Sequence, residues 1–142
     1  MLALTMTVGI VVSVLLLELT GLIAGGIIVP AYVSIILLNP LSLGLLLGIS
    51  LVVLSCLRLF GQVLILYGTR KYGVSLLLGG LLNLAAQDLA PYLTQPVEWS
   101  AFGYLVPGLM AYHFDRQGIA KTLLMIAIAA PLVRAVVLLF MR

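Results

Sequence analysis

The sequence predicts an all-α protein: a polytopic membrane helix bundle with two short, Gly/Pro-broken segments. Three observations carry that expectation. Of 142 residues, 64% are hydrophobic and 8% charged, where a soluble domain carries roughly 25% charged residues. A chain this short cannot hide so much apolar surface in a core of its own, and lipid is the solvent that tolerates the remainder. Several apolar runs approach or exceed the roughly 20 residues that cross a bilayer. Finally, one phrase is used twice: Gly26-Ile27-Ile28-Val29-Pro30-Ala31-Tyr32 and Gly103-Tyr104-Leu105-Val106-Pro107-Gly108-Leu109, 77 residues apart. Glycine and proline inside lipid-like sequence mark points where a membrane helix starts, breaks or turns. The pair therefore reads as an internal duplication within one transmembrane domain, residues 1–142. Its pseudo-repeats cover about residues 1–66 and 74–142, around a basic loop at 67–73.

Residues 1–17 carry no charge and form the first helix, which ends near Glu18-Leu19-Thr20-Gly21. No Lys or Arg precedes Arg58, so the segment makes a poor signal peptide and is expected to remain as a helix. Gly21, Gly25 and Gly26 make a tight connection. Residues 27–38 then run to the stop signal Asn39-Pro40. As a helix these 12 residues reach only ~18 Å, so the segment either extends backward and crosses with a kink at Pro30 or dips in and returns. Such interrupted segments at matching points of two halves resemble the broken helices of transport sites.

Residues 41–66 are the longest run and contain Arg58. The loop Tyr67-Gly68-Thr69-Arg70-Lys71-Tyr72-Gly73 is the most basic stretch and belongs on the cytoplasmic side. Residues 74–89 form the next run, with Asn83 and Gln87 on one face. Residues 90–100 hold acid but no base, which suits the outer side, and Tyr92, Trp99 and Tyr104 fit an interfacial aromatic belt. The second short stretch covers 102–114 and closes at Asp115-Arg116-Gln117-Gly118. A last run, 119–141, includes Pro131 and Arg134. Two full crossings by the short segments give six in all and put both termini outside; two re-entrant segments give four and put both inside.

The residues that stand out each have a plain reading and a functional one. Glu18 is an interfacial helix end, or a carboxylate that anchors the glycine turn, lines a path or pairs with Arg58. Arg58 and Arg134 snorkel or form internal ion pairs, or face a cavity that takes carboxylates through the five-donor guanidinium. Arg116 sits in a solvated turn beside Asp115, or borders the same path. Backbone N–H groups near Gly26 and Gly103 could also meet carboxylates. Gly21, Gly25, Pro30, Pro107, Gly108 and Gly118 are turn and packing positions. Arg70 and Lys71 orient the protein or dock an acidic partner. His113 reads as an interface residue and the lone Cys56 as a packed small one; neither has metal-ligand spacing. No nucleotide loop, zinc motif, paired cysteines or nucleophile elbow occurs, so no catalytic residue, metal or cofactor is expected. The basic residues are scattered singly, which argues against nucleic acid.

The stretches Glu18-Leu19-Thr20-Gly21, Gly26 to Tyr32, Leu66-Tyr67-Gly68-Thr69-Arg70-Lys71, Val106-Pro107-Gly108-Leu109-Met110-Ala111 and Arg116-Gln117-Gly118 resemble the PgsC/CapC family. This is the small membrane subunit of bacterial poly-γ-glutamate capsule synthesis. The chain departs from the family pattern at Leu19, where a basic residue is common, and at Thr69, where an arginine is common. The resemblance implies a multi-pass protein of the bacterial cell (inner) membrane. It further implies partnership with a Mur-ligase-like ATP-dependent subunit, which activates the growing chain as an acyl phosphate, and with an extracytoplasmic membrane-anchored subunit. The small subunit itself would be non-catalytic, required for activity, and would pass the anionic polyglutamate across the membrane. Two other roles stay open on the residues alone: a structural anchor that recruits the ligase, and a small-solute transporter. A bundle this thin is expected to act as a homo-oligomer in contact with lipid.

Overall fold

The computed structural model describes residues 2–65, 67–89 and 101–142; the acidic loop expected over 90–100, with Tyr92, Glu98 and Trp99, lies outside them. The described residues form α1 (Leu2–Thr20), α2 (Val29–Ile36), α3 (Pro40–Val63), α4 (Thr69–Leu89), α5 (Ala101–Gln117) and α6 (Ile119–Phe140). Among the described residues, three helices are long and apolar enough to cross a membrane: α1, α3 and α6. Their outward faces are aliphatic, with Leu15, Leu51, Leu59, Leu124 and Leu138 exposed. In water such a continuous apolar exterior is an aggregation surface; in hydrocarbon it is the expected one. The protein is therefore an all-α, multi-pass bundle.

Cross-helix contacts fix the direction of each element. On α1 and α2, Ser13 Oγ donates to Ile27 C=O at 3.1 Å and Gly9 lies against Ala31, so the two run antiparallel. Ser50 on α3 meets Met110 on α5 and Arg58 meets Asp115, so those run parallel. Lys71–Asp115, Ser75–Gly108 and Gln87–Tyr104 make α4 and α5 antiparallel. The helices thus alternate. The links between α1 and α2, α3 and α4, and α5 and α6 share one end of the bundle, while both chain ends lie at the other. The segment containing α2 does not turn back. It carries on to Asn39, and α3 returns. Eight residues span only ~12 Å as a helix, and a non-helical stretch of bends from Gly21 to Ile28 leads into it.

Between the helices, Val53, Leu57, Val106, Met110, Phe114 and Ala129 are almost fully buried and belong to one apolar core. α4 crosses α5 closely. A Cβ on Gly79 would stand 2.5 Å from the backbone N of Gly108, so only hydrogen atoms fit there, as in other small-residue membrane contacts. Ser75 Oγ donates to Gly108 C=O at 2.5 Å on the same seam.

Several expectations change. The two repeated phrases adopt different backbones: α2 begins inside the first at Val29, whereas α5 runs unbroken through Pro107. Proline inside a membrane helix frees one carbonyl and is tolerated where neighbouring helices pack closely, which the Gly79–Gly108 seam supplies. The basic loop is shorter than 67–73, because α4 already starts at Thr69. Arg70 and Lys71 therefore occupy a helical turn, and Gly73 does not interrupt it. Pro131 likewise lies within α6.

Candidate functional site

The polar residues gather at the end shared by the α1–α2, α3–α4 and α5–α6 links. Asp115, in the last turn of α5, forms an ion pair with Lys71 Nζ from the first turn of α4. Arg58 Nε approaches the other carboxylate oxygen at 3.7 Å. The side chains of Lys71 and Asp115 are 29% and 18% exposed, that of Arg58 63%. The Lys71 pair is therefore the partly desolvated one, and the Arg58 contact is a screened surface interaction. Three helices from both halves of the chain converge on one carboxylate.

Beside this cluster lie two adjoining clefts that share Tyr112 and Arg116. One, of about 460 Å³, is lined by Gly68, Lys71, Tyr112, Asp115 and Arg116. The other, about 400 Å³, is walled by Ile23, Ile27, Leu109, Tyr72 and His113 and reaches the backbone at Gly26. Tyr72 and Tyr112 meet edge to face with centroids 5.1 Å apart, and Tyr112 meets His113 at 5.3 Å. His113 Nδ1 lies 2.7 Å from Leu109 C=O. Arg116 is exposed and makes no hydrogen bond or ion pair among the described residues.

The floor of the second cleft is the glycine-rich connection. Gly25 and Gly26 have φ of +73° and +129°, a region that side-chain-bearing residues avoid. Both are buried. The non-helical stretch around them lacks helical hydrogen-bond partners, and Gln117 supplies two of them at Ile23. Its Oε1 accepts from Ile23 N–H at 3.2 Å, and its Nε2 donates to Ile23 C=O and to Thr122 Oγ1, the latter at 3.0 Å. Thr122 in turn donates to Gly118 C=O at 2.8 Å. One amide side chain thus ties the glycine connection to the α5–α6 turn, where Gly118 (φ +99°) separates the helices.

Of the residues singled out from sequence, Arg58, Lys71, Arg116 and Gly26 come together here. Gly21 and Gly25 bound the same connection, Pro30 sits in the first turn of α2, and Gly108 packs on α4. Glu18 is exposed near the end of α1, and the pairing with Arg58 does not form: Arg58 faces Asp115 instead, because α3 packs against α5 and not against α1. Arg134, half-buried on the far part of α6, and Gly103, in the first turn of α5, belong to the opposite end. Arg70 is exposed beside the cluster without lining either cleft.

Sequence reasoning underrated Asp115 and Gln117. A local turn pair explained Asp115 adequately, and nothing short-range announces a contact with Lys71, 44 positions away, or with Ile23, 94 positions away. The available signal was scarcity: the chain has four acids against seven Lys and Arg, so an acid next to a helix end had many suitors. Among the described residues no group of His, Cys, Asp and Glu could hold a metal ion.

Comparison with known proteins now adds identity. Residues 8–123 match the family described as capsule biosynthesis CapC. The chain is 31% identical over 116 residues to the PGA biosynthesis protein CapC of Bacillus subtilis (strain 168), covering 80% of this chain and 78% of that protein. It is 29% identical over 120 residues to the capsule biosynthesis protein CapC of Bacillus anthracis, covering 83% and 80%. No solved structure matches. An all-α multi-pass bundle, a family match across most of its length and two relatives of similar extent lead to one conclusion: the chain belongs to the CapC/PgsC family of membrane proteins of capsule, poly-γ-glutamate, biosynthesis.

Proposed function

We propose that this chain is the non-catalytic membrane subunit of a poly-γ-glutamate synthase. In this reading it supports an ATP-dependent amide ligase and passes the anionic polymer across the cell membrane. The observation that carries the reading is the cationic cleft at one end of a lipid-faced bundle. A polymer with a carboxylate on each residue cannot cross bare hydrocarbon, where each charge costs several kcal/mol or more. A protein path must offer cations and donors yet release what it binds.

Charge distribution supports the orientation. Arg58, Arg70, Lys71, Arg116 and Lys121 cluster towards the cleft end, against Arg134 and Arg142 towards the other. The cleft end is then cytoplasmic and both chain ends face outward, with six crossings, α2 and its extended lead counting as one. The polymer would enter where the ligase makes it. The interior of a single chain is lined by apolar side chains and offers a polyanion no cation, which favours a path along the surface of the bundle, between copies.

Internal duplication is part of the same reading. Exchanging α1, α2 and α3 for α4, α5 and α6 maps the set of helix pairs in contact onto itself: α1·α2 onto α4·α5, α2·α3 onto α5·α6, α3·α5 onto α2·α6, α3·α4 onto α1·α6, and α2·α5 onto itself. Gly9 lies against Ala31, and Gly79 against Gly108. In each half the residue after the phrase proline receives a glycine of the preceding helix. With three crossings per half, the halves are inverted in the membrane.

A ligase-docking role is favoured by one observation. Lys71 is engaged by Asp115, which leaves Arg70 facing outward from the same helical turn. The test is polymer synthesis and export in membranes carrying this protein with its ligase. Loss of export with Arg58→Ala, while the ligase still co-purifies, supports the path. If only Arg70→Ala fails, and fails by releasing the ligase, the chain is an anchor and the path reading is wrong.

A further inference from the structure

We propose that the two clefts meeting at Arg116 form one binding site for an aliphatic ligand that carries at least two carboxylates, with Asp115 as a built-in competitor for its cations. The inference rests on the polymer-handling reading above and assigns that reading a site.

The charge count comes first. Lys71 and Arg116 against Asp115 leave the cleft lining at +1, and Arg58, which borders Asp115 without lining either cleft, brings the cluster to +2. Asp115 spends its charge on Lys71 and Arg58, whereas Arg116 lines both clefts with no internal partner among the described residues. An unpaired guanidinium at the mouth of a cavity is a receptor for a carboxylate, which its planar fork binds through two parallel hydrogen bonds. A single carboxylate leaves the site at +1, and a second balances it. The walls select the remainder of the ligand. The cleft on the glycine side is walled by Ile23, Ile27, Leu109 and Tyr112, a surface suited to methylene groups and poor for a hydrated inorganic anion. A chain with carboxylates at intervals along an aliphatic backbone matches both halves. At Gly26 the cleft reaches non-helical backbone that carries no Cβ.

Asp115 gives the site its off-rate. It holds Lys71 in place while keeping it from binding incoming carboxylates at full strength, which suits a site that must pass its ligand on. This role makes a prediction opposite in sign to an ordinary contact. Asp115→Asn removes the competing carboxylate and raises the site to +3, so the ligand binds more tightly.

The experiment measures binding of a soluble γ-linked glutamate hexamer to the full chain in nanodiscs of neutral lipid. Arg116→Ala is expected to weaken binding about tenfold or more, and Arg116→Lys, which keeps the charge, by only a few-fold. Asp115→Asn is expected to strengthen it several-fold. Because Arg116 is exposed, its truncation leaves the fold intact, as a matching melting profile would show. Unchanged binding in Arg116→Ala overturns the proposal, and so does weaker binding in a folded Asp115→Asn. Nanodiscs containing phosphatidylglycerol separate the two sources of anion. If that lipid displaces the hexamer through Arg116 and the hexamer cannot displace the lipid, the site is a headgroup site and the assignment is wrong. Polymer export tells this failure from failure of the wider reading. Hexamer binding lost with export intact removes the transport role and keeps the site; export lost with hexamer binding intact does the reverse.

Discussion

Gly79 and Gly80 are neighbours on α4, yet alanine at the two positions should act in opposite directions. A Cβ at Gly79 would lie 2.5 Å from the backbone N and 2.7 Å from the Cα of Gly108. Ordinary contact begins near 3.4 Å, so α4 and α5 must separate by roughly 1 Å, and both obstructing atoms are backbone that cannot rotate away. Separation stretches the Ser75–Gly108 hydrogen bond from 2.5 Å to about 3.5 Å, the limit of a real bond. Overpacking costs ~1–3 kcal/mol and the hydrogen bond ~0.6–1 kcal/mol in a membrane, so Gly79→Ala should destabilise by ~2–4 kcal/mol. Gly80 faces open space within 4 Å. Gly80→Ala meets nothing and gains up to ~1 kcal/mol of helix propensity. The assay is thermal and denaturant unfolding of both variants in one detergent, read by fluorescence and by retention of the monodisperse species. Equal behaviour of the two variants, or a stable Gly79→Ala with the Ser75 contact intact, would refute the close crossing of α4 on α5.

Three further outcomes follow from the same contacts. Lys71→Ala should cost ~1.5–3 kcal/mol, as expected for a partly buried charge-assisted bond, while Arg58→Ala costs under ~1 kcal/mol. A double-mutant cycle with Asp115→Ala should couple strongly only to Lys71. Gln117→Leu should lose ~1–2 kcal/mol by stranding the N–H of Ile23, whose C=O keeps its bond from Gly25 N–H, and hydrogen exchange at residues 21–28 should rise before any global unfolding does. In a Cys56→Ser background, Tyr67→Cys and Met141→Cys should react with a membrane-impermeant maleimide from opposite faces; labelling from the same face contradicts the alternating order of the helices.

Hydropathy located the long elements closely. The first helix, expected over 1–17, spans Leu2–Thr20, and the longest, expected over 41–66, spans Pro40–Val63. Lipid solvation imposes those lengths on composition directly. The errors arose where hydropathy and backbone part company. Thr69, Arg70 and Lys71 read as loop because they are polar, yet a helix start can be polar when its charges find partners across the bundle, as Lys71 does in Asp115. Pro107 reads as a break because its ring removes an N–H, yet the close α4–α5 seam holds α5 together. The site was half legible. Arg58, Arg116 and Gly26 stand out as charge or glycine within apolar sequence. Asp115 and Gln117 act only through residues far along the chain, which one sequence does not reveal.

The site and the most expensive piece of backbone occupy the same place, and the coincidence has a physical cause. Non-helical backbone at membrane depth leaves N–H and C=O groups unsatisfied unless protein covers it or a cavity borders it. The Gly21 to Ile28 stretch meets this condition twice. Gln117 and Ser13 satisfy part of it from α5 and α1, and the remainder borders the cleft at Gly26. An ordinary helix there would have been cheaper and would have needed neither the positive φ of Gly25 and Gly26 nor the Gln117 clamp. It would also have closed the cleft with side chains. The non-helical stretch leaves main chain and open volume beside Arg116, at the end of the bundle that carries most of its positive charge. The proposed handling of a charged chain would use such a surface, and anchoring a partner alone would not require it.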